Sequence, residues 1–228
     1  MEFTFGICAS RSNKDLHQTL ARSIHLLNIP NYEILFIGDI EDVDSKSKVI
    51  YFDETQKEGW ITKKKNILCQ NANFENIVLL HDYIEFEANW YKGFLNFGND
   101  FDIAMNVILN SNNTRFRDWC LNPFDIIPPK GPVVTREFFL PYNITHLTNL
   151  MYISGTYWVA KTKFMLDNPL DENLIWGQSE DLKWSEQVRS KTQFKMNTNS
   201  IVRCMKLKYC DFTEISPENL MKIEALSS

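Results

Sequence analysis

Ile77-Val78-Leu79-Leu80-His81-Asp82-Tyr83 is the stretch on which the fold turns. Four consecutive apolar residues leave neither face for water, so they read as a strand buried on both sides, ended by a polar triplet. Toward the N-terminus, Thr4 to Ala9, Tyr32 to Ile37 (ended by Gly38-Asp39) and Val49 to Phe52 read as three more strands. Between the first two, Leu16, Leu20, Ile24 and Leu27 fall at helical spacing, which predicts a helix over about 13–28. Ser12 and Asp15 resemble a capping box at its start, and Pro30-Asn31 stop it. A second helix is expected over about 62–71. Strands apolar on both faces, alternating with amphipathic helices, predict an α/β fold with a mostly parallel central sheet and helices on both faces. Ligands of such sheets bind beyond the carboxyl ends of the strands.

The second half reads differently. Ile103 to Leu109 is strand-like, but residues 110–150 are rich in Asn, Pro and aromatic residues and read as irregular. So long an irregular stretch in a folded chain is usually functional or mobile. Tyr152 to Ala160 returns to strand, Ser179 to Arg189 is helical, and short strands are expected near 193–197 and 201–206. With no repeat, low-complexity tract or linker, residues 1–228 are expected to form one domain. Its halves would be a nucleotide-type part, about 1–100, and an irregular part, about 101–228.

Composition narrows the function. The 228 residues are 44% hydrophobic and 23% charged, with eight Gly and eight Pro, which excludes disordered and collagen-like chains. A formal net charge of -5 supplies no basic field for a nucleic-acid backbone, so no nucleic-acid partner is expected. The five cysteines are scattered and form no CxxC pair; thiols in a reducing compartment are expected rather than a zinc cluster. The N-terminus has too short an apolar run for a signal peptide, and no run approaches the roughly 20 apolar residues of a membrane span. A soluble, cytoplasmic protein is expected, or a catalytic domain of something longer.

Three places carry chemistry. Asp82, at a strand end, is placed to hold a hard divalent cation that also binds a diphosphate; the plainer alternative is a carboxylate that caps a turn. Trp176-Gly177-Gln178-Ser179-Glu180-Asp181 sets an aromatic platform beside two acids at a helix start. Either acid is a candidate general base, and the plainer reading is two acids that favour the helix dipole. Lys63-Lys64-Lys65-Asn66 opens a helix where cations and backbone amides can meet phosphate, or forms a solvated face. In the irregular middle, Arg115, Arg117, Asp118 and Trp119 suit sugar recognition, or form a structural Arg–Asp pair beside a buried Trp.

In this order, the segments FTFGICASRSNKDLHQTLARSI, WITKKKNILCQNA, LLHDYIEF, YISGTYWVAKTKF and NPLDENLIWGQSEDLKWSEQVR resemble a glycosyltransferase of the GT-A (nucleotide-diphospho-sugar transferase) fold, close to the family 2 type. The resemblance spans about residues 3–206. It implies a UDP- or GDP-sugar donor, a glycan or other hydroxyl acceptor, and Asp181 as the base of an inverting displacement, with Glu180 orienting or supporting it. It further implies donor contacts from Ser10, Arg11, Asp39, Lys65, Asn66, Asp82 and Gly155, with Asp82 also the metal ligand. Acceptor contacts are expected from Arg117, Trp119 and Trp176.

The chain departs from the family where two acids are usual. His81-Asp82-Tyr83 leaves one carboxylate, which His81, Glu85 or His146 would have to complete. Mixed imidazole and carboxylate ligation favours manganese over magnesium, and Lys63, Lys65 or Arg11 are the alternative neutralisers of the diphosphate. A nucleotidyltransferase would want a Gly-rich phosphate loop, which Ala9-Ser10-Arg11-Ser12 lacks. A glycan- or nucleotide-binding module with weak or no turnover is the non-enzymatic alternative.

Overall fold

Apolar runs become strands and amphipathic runs become helices along most of the chain. The computed structural model describes residues 1–121 and 138–227. In order these form β1 (Phe3–Cys8), α1 (Lys14–His25), β2 (Tyr32–Gly38), β3 (Ser47–Tyr51), α2 (Ile61–Asn71), β4 (Asn76–His81), β5 (Ile84–Phe86) and α3 (Trp90–Phe97). There follow β6 (Ile103–Leu109), β7 (Cys120–Leu121), β8 (Phe138–Phe139), β9 (Met151–Tyr152), β10 (Tyr157–Lys161), α4 (Thr162–Asp167), α5 (Glu180–Val188), β11 (Lys195–Cys204), β12 (Thr213–Glu214) and α6 (Pro217–Ser227).

Eight strands form one sheet in the order β3-β2-β1-β4-β10-β6-β11-β5, and β12-β8-β7-β9 form a smaller one. β3, β2, β1 and β4 are parallel, with Cys8 in register with Ile37 on one side and His81 on the other. The loops after these strands therefore leave from one edge of the sheet. β10 runs antiparallel to both β4 and β6, so residues 153–156, which enter it, arrive at that same edge. β11 is parallel to β6, and its carboxyl end delivers residues 205–210 there too.

Side chains of β1 alternate between the two faces. Phe3 and Phe5 pack their rings against Trp90 of α3, at 5.1 and 5.6 Å between centroids. On the opposite face, Gly6 lies against Leu68 of α2. Helices thus cover both faces, and the central strands β1, β4 and β10 between them are almost fully buried. The expected α/β architecture is present.

Details differ from expectation. α1 starts at Lys14, after a 3₁₀ turn over Arg11–Asn13, and the Ser12–Asp15 capping box does not form; the Ser10 hydroxyl accepts the Ser12 N–H instead. The strand expected over 152–160 is divided into β9 and β10. The two late strands are one, β11, whose pairing is irregular between Asn197 and Ile201. Part of the stretch read as irregular, residues 122–137, lies outside the described residues. Beyond it Phe138 and Phe139 are buried, and the Tyr142 hydroxyl donates to Asp118 at 2.7 Å. No two of the five cysteines are joined in a disulfide. No helix among the described residues is long and apolar enough to cross a membrane.

Candidate active site

Two adjoining cavities open at the edge where the strand ends collect. The larger, about 930 Å³, is walled by Ser10, Arg11, Asn13, Asp39, Lys64 and Asp82 among others. The smaller, about 380 Å³, holds Arg117, Gly155, Glu180, Asp181 and Tyr209. His81, Tyr83, Trp176 and Lys208 belong to both, so the cavities are continuous.

The wall of the larger cavity is built around Asp82. This carboxylate is 2% exposed. Its Oδ2 accepts from the Ser10 N–H at 2.7 Å and from His17 Nε2 at 3.0 Å, and its Oδ1 accepts from Asn13 Nδ2 at 2.6 Å. Asp82 thereby ties the loop after β1, and the first turn of α1, to the end of β4. Buried His17, on the first turn of α1, is part of this tie. Beside it Arg11 donates to both the carbonyl and the carboxylate of Asp39, at 2.9 and 2.8 Å, which joins the loops after β1 and β2.

The basic run at the head of α2 turns inward rather than toward solvent. Lys63 pairs with Glu172 at 2.8 Å, and Lys64 pairs with Glu54. Asn66 holds the carbonyl and the N–H of Leu170, together with Glu172. Trp60 and Thr62 donate to the carbonyls of Glu172 and Leu174. The segment that precedes the acid pair is therefore clamped onto α2. Lys65 is fully buried, donating to the Gly155 carbonyl at 2.7 Å with its ammonium 4.3 Å from the centre of the Trp158 ring. Burial, the largest cause, lowers its pKa, while Cys8, Glu180 and Asp181 act against that.

The acid pair follows a tight turn. Gly177 sits at φ +82°, where a side chain would be strained, and Ser179 at +59° caps α5 in the left-handed region. The turn leaves Trp176 70% exposed over both cavities. Asp181 accepts the Gly155 N–H at 2.8 Å and the Leu182 N–H at 2.9 Å. A Cβ on Gly155 would stand 3.3 Å from Asp181 Oδ2 and 3.5 Å from Lys65 Nζ, so a buried cation and the candidate base flank one glycine. Glu180 is buried, and its pKa is raised by that burial first and by the Asp181 charge second.

A carboxyl whose folded pKa exceeds its unfolded one costs stability once the pH exceeds both, and costs nothing below both. Glu180→Gln is therefore expected to raise the melting temperature at neutral pH, with the gain vanishing as pH falls below about 4.3, the ordinary glutamate value. Melting curves across that range check this. A gain that persists in acid would assign the effect to packing.

Several expected site residues stand elsewhere. Trp119 is fully buried, with its ring N–H donating to the Ile144 carbonyl at 2.8 Å, and lines neither cavity. Its neighbour Asp118 is equally buried and accepts Arg115 Nε at 2.9 Å, so the structural Arg–Asp pair is what forms. Asn66 and Lys65 support the site from behind and line neither cavity. The metal set is not assembled either. Asp82 is spent on three donors, and Glu85 lies on β5 opposite Arg203. His146 bonds Glu224 at 3.0 Å, and the His81 ring stacks on Tyr83 at 5.3 Å. Burial, and then the Lys65 charge, hold the His81 imidazole well below its usual range. Among the described residues no group of three or more His, Cys, Asp or Glu side chains suits a metal ion. These residues do not fit a divalent cation held by Asp82.

What sequence reading missed lies after β11. Lys206-Leu207-Lys208-Tyr209 comes back over the cleft, with Lys206 on the larger cavity, Leu207 and Tyr209 on the smaller, and Lys208 on both. The signal was present as alternating cationic and apolar residues directly beyond a strand end.

No family model matches the sequence, and no curated protein matches it. Among solved structures, TarS 1–349 of S. aureus is similar, with a TM-score of 0.55 and 15% identity, covering 99% of this chain and 64% of that one. TarS 1–349 in complex with UDP gives 0.57 at 15% identity, with the same coverage. GalNAc-T7 with UDP, GalNAc and Mn2+ gives 0.58 at 13% identity, covering 95% of this chain and 45% of that one. The chain spans under two-thirds of each of these proteins. At these identities the likeness carries the architecture, which is a GT-A-like glycosyltransferase fold.

Proposed function

We propose that this GT-A-like chain is a nucleotide-sugar-dependent glycosyltransferase, moving a hexosyl group from a UDP- or GDP-sugar to the hydroxyl of a glycan or other acceptor. The observation that carries the reading is the continuity of two chemically distinct cavities. One lies at the carboxyl ends of parallel strands, where nucleotides bind, and the other contains a pair of carboxylates. UDP in the TarS and GalNAc-T7 structures supports the donor class.

In this reading Ser10, Arg11 and Asp39 meet the nucleoside, and Gly155 leaves room for the donor sugar. Asp181 takes the proton of the acceptor hydroxyl. The acceptor oxygen attacks the anomeric carbon from the face opposite the diphosphate, and the bond from that carbon to the diphosphate breaks, which inverts its configuration. Glu180 orients the acceptor, and Trp176 and Arg117 offer it an aromatic face and a planar cation. The chain acts as one domain, with residues 1–100 supplying most of the nucleotide wall. Residues 101–228 supply the acids, the acceptor side and two lysines. Manganese accompanies UDP in the GalNAc-T7 structure, but no step here is routed through a cation.

Incubation with UDP- and GDP-sugars, with and without manganese, tests the reading. Slow release of free sugar and nucleoside diphosphate is the expected result. Tight nucleotide binding with no turnover on any donor would favour the binding module.

A further inference from the structure

Lys206 and Lys208 stand over the cleft with no carboxylate partner among the described residues, unlike Arg11 and Lys64 beside it. Arg11 is matched by Asp39 and Lys64 by Glu54. Lys206 Nζ donates to Asn13 Oδ1 at 2.5 Å, and Asn13 in turn donates to Asp82. Lys208 Nζ lies 3.9 Å from the centre of the Tyr83 ring. The segment is held in place by main-chain bonds. Buried Asn110 accepts the Lys208 N–H at 2.8 Å and donates to the Lys208 carbonyl at 2.9 Å, while the Met205 N–H donates to the Tyr83 carbonyl at 2.8 Å. Two ammonium groups without a carboxylate partner among the described residues are thus presented above the ends of β1 and β4, at the mouth of the larger cavity and at its junction with the smaller one. Held cations of this kind are complementary to an anion. The carboxylate that would otherwise recruit a metal is buried and already accepts three hydrogen bonds.

From this we infer that Lys206 and Lys208 bind the diphosphate of the donor and stabilise the leaving nucleoside diphosphate, in place of a divalent cation held by Asp82. The inference rests on the transferase reading above. As the bond between the anomeric carbon and the diphosphate oxygen breaks, its electron pair stays on that oxygen. The two ammonium groups face the charge that develops there. The acceptor proton goes to Asp181, so no further reactant is needed.

Titrations of UDP, UMP, GDP and GMP against the full chain, in chelator and in manganese, test it. In the parent, the better diphosphate is expected to bind equally well in both conditions. In Lys206→Ala/Lys208→Ala, its affinity is expected to fall about 10-fold or more, the scale of a lost hydrogen bond to a charged group, and its advantage over the monophosphate to collapse. Circular dichroism confirms the fold, and Lys208→Arg, which keeps the charge, is expected to restore part of the loss when introduced in place of the alanine. Diphosphate binding that appears only with manganese, or an undiminished diphosphate advantage in the double variant, overturns the inference and leaves the transferase reading standing. Failure of every nucleotide to bind in either condition removes the transferase reading, and the inference with it.

Discussion

Asp181→Asn is expected to slow sugar transfer by about 10²–10⁴-fold, the usual cost of removing a positioned general base, while donor affinity stays close to that of the parent. The side chain keeps its size, but an amide cannot take up the acceptor proton. The substitution also has a structural cost. The carboxylate accepts two backbone N–H groups, from Gly155 and Leu182, and an amide oxygen can face only one of them as the carboxylate does. A modest loss of stability should accompany the loss of rate, so transfer rates are to be read at a temperature where the variant is folded. Donor affinity survives because no nucleoside contact is assigned to α5. Glu180→Gln supplies the comparison: a milder loss if that residue orients the acceptor, an equal one if the two acids have exchanged roles. Near-parental transfer by folded Asp181→Asn would falsify the base assignment.

Asp82→Ala is expected to weaken diphosphate binding by the same factor in chelator and in manganese, and to destabilise the fold by several kcal/mol. The reason is the set of donors it would strand: the Ser10 N–H, the Asn13 amide and the His17 ring. The buried His17 donor left without an acceptor costs about 1–3 kcal/mol, and the part-buried Ser10 and Asn13 donors, which water can reach from the cavity, cost less each. Asn13 also carries Lys206, so releasing it loosens the cation on the other side of the cleft. Asp82→Asn keeps an acceptor oxygen and is the fallback if the alanine variant does not fold. Paired titrations and urea unfolding read both effects. A loss of affinity confined to the manganese condition would make Asp82 a metal ligand after all.

The parallel half of the sheet was legible because β1, β2 and β4 are mostly apolar runs, β2 and β4 bounded by Asn, Gly or Asp, and because α1 carries a clean apolar stripe. β5, β7, β8, β9 and β12 are two or three residues long, too short to show a period. Their existence depends on tertiary pairing. α3 reads Trp-Tyr-Lys-Gly-Phe-Leu-Asn-Phe; it buries Trp90, Gly93 and Phe94 on one face, but it is only eight residues long and carries a glycine in its middle, too little for the pattern to stand out in the sequence.

In the site, Ser10, Arg11, Asp39, Asp82, Gly155, Trp176, Glu180 and Asp181 are all brought to the two cavities, as is Arg117. What sequence could not reveal is where a polar group finds its partner. Asn66 and Lys65 face inward because the 170–174 segment and Gly155 lie against α2, contacts that span about a hundred residues. Asp82 is consumed by partners some 70 positions away. Lys206 and Lys208 carry no motif. Their importance comes from β11 running parallel to β6 and so ending at the cleft.

The strand order also sets a timetable for synthesis. Among the described residues β5 pairs only with β11, and β11 also lies against β6, although more than a hundred residues separate it from β5 and about 90 from β6 in the chain. Until residues 195–204 have left the ribosome, β5 lacks a neighbour and one side of β6 stays open. An unpaired strand edge is a template for association between nascent chains. The cleft waits as well: the bond between Asn13 and Lys206 joins residues 193 positions apart. A product truncated before Lys195 therefore combines an open edge with a half-built pocket. It is expected to aggregate and to bind no nucleotide, however well its first four strands have paired.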